Sequence, residues 1–100
     1  MRIEFERSGG FAGMRLSGRV ETSELPAEQA CSLEEAVDAA QFWALPGEIP
    51  GHQRGADRFQ YVVTVETEDQ RHTVRVGESA MPEALGALVK AVTRLARKQT

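Results

Sequence analysis

The chain has 100 residues, 41% apolar and 27% charged, which are ordinary globular values for one domain with a single core. A net charge of −3 argues against a nucleic-acid or anionic-membrane binder, whose footprint is basic. The lone cysteine, Cys31, excludes an internal disulfide and suits a reducing compartment.

From the N-terminus, Ile3 and Phe5 alternate with Arg2, Glu4 and Glu6, a period of two that predicts a half-buried strand. Met14, Leu16, Gly18 and Val20 alternate with Arg15, Ser17, Arg19 and Glu21, so a second strand runs to Thr22 and closes an antiparallel hairpin. Gly18 marks either a bulge or a point where a helix packs closely. Between the strands lies Arg7-Ser8-Gly9-Gly10-Phe11-Ala12-Gly13. Its glycines suit a turn; Phe11 does not, and either folds back onto the core or is held out for a partner.

Ser23-Glu24-Leu25-Pro26 announces a helix, since proline fits the first turn, where its missing N–H has no partner. Ala30, Leu33, Val37 and Ala40 give it one buried face. It fades near Gln41, and Phe42-Trp43-Ala44-Leu45 reads as a final turn packed on the core. Pro46 to Asp57, rich in glycine and proline, reads as a long irregular loop. Arg58 to Glu68 is the strongest strand signal, with Phe59, Tyr61, Val63 and Val65 on one face. Glu68-Asp69-Gln70 forms a polar turn, and His72, Val74 and Val76 mark a further strand. Ser79-Ala80-Met81-Pro82 opens a second helix with the stripe Leu85, Leu88, Val89, Val92, Leu95 and Ala96.

A gap-free shift of 56 residues superposes the halves, placing Ile3 on Phe59, Phe5 on Tyr61, Val20 on Val76 and Pro26 on Pro82. The identity between the halves is too low to mark a duplication, but the matched pattern predicts an α+β fold of order ββαββα. Its four-stranded, mostly antiparallel sheet carries both helices on one face, with the other face polar and wet. The predicted core includes Leu33, Val37, Phe59, Val63, Leu85, Leu88 and Val92.

No catalytic constellation is legible. His52 sits in the long loop and His72 in a strand, and neither has a Cys, His or Glu at metal-ligand spacing. Cys31 reads as a small apolar filler rather than a nucleophile. Glu34, Glu35 and Asp38 read as a solvated helix face. Gly9-Gly10 with Gly13 lacks the Lys-Ser/Thr and the following helix of a phosphate loop. Arg15, Arg19, Arg71 and Arg75 fall on the wet sheet face, without the exposed aromatics that nucleic-acid binding needs there. Catalytic residues, metal ligands, cofactors, nucleic acid and a membrane are therefore not expected, and the compartment expected is the cytoplasm.

The glycine-rich stretch Arg7 to Gly13, Leu25-Pro26 before a helix, Ala56-Asp57-Arg58-Phe59-Gln60-Tyr61 opening a strand and Ser79-Ala80-Met81-Pro82-Glu83-Ala84-Leu85 opening the last helix occur together and in this order. As a set they resemble the emfourin family across nearly the whole chain. Emfourins are small bacterial protein inhibitors of thermolysin-like zinc metallopeptidases, typified by the inhibitor of protealysin, and are often encoded beside such a peptidase. The resemblance implies a single inhibitor domain over residues 1–100, a thermolysin-like partner encoded nearby and no enzymatic activity. A non-enzymatic protein-binding adaptor domain is the alternative reading.

The resemblance transfers no inhibitory motif, so contact residues follow from shape. Ser8, Gly9, Gly10, Phe11, Ala12 and Gly13 are the first candidates. Phe11 suits the bulky apolar side chain that thermolysin-like enzymes accept on the primed side of the scissile bond. Pro50, His52 and Arg54 of the long loop and Glu68, Asp69 and Gln70 of the polar turn are lesser candidates.

Overall fold

The alternating runs form the strands their period predicts. In the computed structural model, which describes residues 1–9, 14–49 and 59–98, β1 (Arg2–Gly9) pairs antiparallel with β2 (Met14–Glu21). A short β3 (Glu48–Ile49) follows the first helix, and β4 (Phe59–Glu66) and β5 (Arg71–Gly77) form the second hairpin. The sheet order is β2-β1-β4-β5-β3. Both α1 (Ala27–Ala39) and α2 (Glu83–Lys98) begin directly after a proline, whose carbonyl accepts the first helical hydrogen bond: Ala30 N–H to Pro26, and Gly86 N–H to Pro82. Gln41, with φ of 49°, turns the chain out of α1 in the left-handed conformation.

The register lines up the apolar residues. Val20, Ile3 and Val65 form one buried row across the sheet; Phe5, Val63 and Val74 form the next. Leu33 and Val37 of α1 and Leu85, Leu88, Val89 and Val92 of α2 close over these rows in one hydrophobic cluster, so both helices cover the same face. The opposite face carries charge. There Arg2 pairs with Glu66 at 3.4 Å and Arg15 with Glu6 at 3.6 Å, while the Thr64 and Thr73 hydroxyls hydrogen-bond at 2.9 Å.

The central strand pair relates the two halves in space. Glu6 stands opposite Val62, and those two positions are themselves related by the shift of 56. A local twofold normal to the sheet therefore passes between them, exchanging β1 with β4 and β2 with β5. The turns of 3₁₀ helix at Thr22–Glu24 and Glu78–Ala80 obey the same shift.

Three expectations need correction. The sheet is mixed and five-stranded rather than four-stranded, because Glu48 and Ile49 leave the expected loop and pair parallel with Arg75 and Val76. The open edge of β5 invites this pairing, and Arg75 N–H also donates to the Gly47 carbonyl at 2.9 Å. Phe59 is half-buried, outside the core cluster, because it lies at the last rung of the sheet. Cys31 is exposed rather than a filler, since it stands about 200° around the helix from Leu33.

Candidate functional site

The Gly9 end of the sheet is where the candidate loops are anchored. Gly9 has φ of 124°, a conformation that side chains with a Cβ rarely adopt, and it forms the last rung with Met14 on one side and Phe59 on the other. The connection between Gly9 and Met14 comprises residues 10–13. Gly10, Phe11, Ala12 and Gly13 thus lie outside the described residues, as do Pro50, His52 and Arg54. The anchors of the long loop are nevertheless placed. Ile49 pairs with Val76, Val76 with Tyr61, and Tyr61 with Arg7, so the chain leaves toward residue 50 and returns at Phe59 at this same end.

Ser8 is half-buried on the wet face, between Arg15 and Gln60. Arg7 does the opposite. Period two carries it onto the apolar face behind Ile3 and Phe5, where its guanidinium carbon sits 4.7 Å from the centre of the Phe59 ring. Such a stack is worth about 0.5–1 kcal/mol at an exposed position. It ties β1 to β4 immediately below both loop anchors. The sequence signal for it was the parity of Arg7, a cation in register with two core residues.

Glu68, Asp69 and Gln70 are not brought to this end. Thr67 N–H donates to the Gln70 carbonyl at 2.8 Å, and the Thr67 hydroxyl accepts from the N–H groups of Asp69 at 3.3 Å and Gln70 at 3.2 Å. This closed, exposed turn joins β4 to β5 beside Arg2, a full strand length from Gly9, about 24 Å. The local twofold requires the separation, because it maps the first hairpin tip onto the second at the opposite end of the sheet.

His72 is partly buried, as its place in the alternation implies. Its Nε2–H donates to the Leu45 carbonyl at 2.6 Å, and its ring meets the Phe42 ring edge-on with centroids 5.5 Å apart. That geometry is structural: it pins the segment after α1 to β5. The Cys31 thiol lies 3.9 Å from the Glu35 carboxylate, one helical turn on. Among the described residues there is no group of three or more His, Cys, Asp or Glu side chains placed to hold a metal, and no helix long and apolar enough to cross a membrane.

The Gly9 end of the sheet thus anchors the four-residue connection between β1 and β2 and the longer one between β3 and β4. Comparison with known families gives the class directly: the sequence profile of the emfourin family matches residues 5–93. The chain belongs to the emfourin family, an inhibitor family, and that membership implies a metallopeptidase-inhibitor role in general, with a metallopeptidase as partner. No curated protein and no solved structure matches the chain.

Proposed function

We propose that this protein is a non-catalytic, single-domain inhibitor of a thermolysin-like zinc metallopeptidase encoded nearby, and that it binds through the loop end of the sheet. Family membership over residues 5–93 carries this reading. The placement of the anchors supports the binding mode. Residues 8–13 and the segment after Ile49 spring from adjacent rungs, held by strand pairing and by the Arg7–Phe59 stack. A segment held at both ends by a rigid sheet loses less conformational freedom on binding than a free peptide, which is how a small inhibitor gains affinity. Ser8 to Gly13 make the principal contact, with Phe11 as the apolar anchor. Pro50, His52 and Arg54 are the lesser contacts, on a loop whose ends are anchored at the same end of the sheet. The Glu68–Gln70 turn, at the far end, belongs to no shared surface with them.

The test is direct. Purified protein is titrated into a thermolysin-like peptidase cleaving a fluorogenic peptide, and activity falls to a plateau at a fixed stoichiometry. Undiminished cleavage at a large excess of the protein refutes the proposal for that peptidase. The same result across a panel of thermolysin-like enzymes refutes it altogether.

A further inference from the structure

Between α2 and the Gly9 end of the sheet lies a groove of about 610 Å³. Its floor is apolar, made by Phe5, Leu16, Tyr61 and Val89. Its remaining lining is Thr93 with three cations, Arg7 from the sheet and Lys90 and Arg94 from α2. Thr93 spends its hydroxyl on the Val89 carbonyl at 2.7 Å, so it offers the groove mainly its methyl group. The volume falls in the range of ordinary ligand sites, about 300–1,000 Å³.

The charge distribution is the unusual feature. Acidic residues outnumber basic ones 15 to 12 in the chain, yet the groove gathers three cations and no carboxylate among its described lining. The ion pairs of the described residues join Met1 and Arg2 to Glu21, Arg2 to Glu66 and Arg15 to Glu6. Arg7, Lys90 and Arg94 take part in none of them. Lys90 and Arg94 are one helical turn apart and so project on the same side of α2. Arg7 is held by its stack on Phe59, which leaves its N–H edge free to donate.

We infer that this groove docks an acidic peptide segment of a partner protein, one apolar side chain on the floor and flanking carboxylates on the three cations. Free phosphate or another small anion would leave the apolar floor uncovered. A nucleic acid would bring many charges to a protein whose own net charge is −3. An amphipathic acidic segment satisfies floor and rim together. This inference does not rest on the inhibitor reading, and its test needs no peptidase.

The probe is the peptide acetyl-Glu-Asp-Phe-Leu-Asp-Glu-amide, titrated into the nitrogen-15-labelled full chain at low salt. Its counterpart is the same peptide with Gln and Asn in place of the acids. The acidic peptide shifts the amides of Phe5, Arg7, Leu16, Tyr61 and the Val89–Arg94 turn. The neutral one binds at least about tenfold more weakly, and added salt weakens the acidic one toward it. The double variant Lys90→Gln, Arg94→Gln changes two exposed side chains only, keeps its melting temperature, and loses about tenfold in affinity for the acidic peptide. Several results overturn the inference: no shifts at millimolar peptide, shifts centred elsewhere, equal binding of the two peptides, or tighter binding of an oligothymidylate. So does the same pattern of shifts on raising the protein's own concentration without peptide, which would make a second copy the occupant.

Discussion

Phe5 lies directly across from Gly18 in the β1–β2 ladder, and its ring fills the space a side chain at position 18 would need. A Cβ built there stands 2.5 Å from Phe5 Cε1 and 3.0 Å from the Cβ of Ala96 on α2. The unbroken register settles which of the two roles Gly18 has: close packing of a helix, with no bulge.

Gly18→Ala is therefore expected to destabilise the fold by about 1–3 kcal/mol, the usual cost of overpacking a tight core. A denaturant titration measures it. Phe5 is buried and Ala96 closes the space on the helix side, so a loss below about 0.5 kcal/mol would mean that the Phe5 ring relaxes away from position 18 at little cost.

Leu88 is fully buried on α2. Its truncation to alanine removes side-chain contacts and leaves a cavity under the helix, an expected cost of about 2–5 kcal/mol. Equilibrium unfolding in urea reads this directly, and a cost under about 1 kcal/mol contradicts the assignment of the buried face.

The strands and the buried stripes were legible in the sequence because each has its own period, two or about 3.6, repeated often enough to count, and both helix starts because a proline marks each. Glu48 and Ile49 were not, because a strand of two residues has no period, and its pairing is decided by the free edge of β5 rather than by its own side chains. Phe59 illustrates a different limit. Alternation gives the face a residue points to, but not whether that face is still covered at the last rung. For the site, the shift of 56 together with the antiparallel centre already implies that the two hairpin tips lie at opposite ends. The Arg7 stack needed the register as well as the parity.

Cys31→Ser is expected to leave stability within about 0.5 kcal/mol of the parent, since the side chain is exposed and supports no core contact. Inhibition should also be unchanged, because α1 carries no candidate contact. A folded Cys31→Ser protein that no longer inhibits would place the contact surface on the helix side.

Loss of the His72 imidazole frees the Leu45 carbonyl from its partner on β5. His72→Ala should cost about 1–3 kcal/mol, combining the unmade hydrogen bond with the lost ring contact on Phe42. Faster amide exchange at Arg75, which donates to Gly47 in the same region, would accompany it if this tie holds the segment to the sheet. Unchanged exchange there would show that the β3–β5 pairing holds it alone.

Phe11→Ala is expected to weaken inhibition at least about thirtyfold, the common cost of truncating a central aromatic anchor in a desolvated pocket. Circular dichroism and thermal stability should change little. A parallel fall in stability would reassign Phe11 to the core, and full inhibition by the variant would shift the anchoring role to another loop.

The polar turn at Asp69 lies at the opposite end of the sheet from Gly9 and Phe59, and its backbone is closed by its own hydrogen bonds. That makes it the natural point of attachment for surface-based measurements. A cysteine installed there and coupled to a sensor chip, in a Cys31→Ser background, orients every molecule with its loop end outward. The same site accepts a fluorophore about a strand length from the loop anchors, far enough that the dye reports on tumbling and complex size without standing in the way of a partner bound at the Gly9 end, as proposed above.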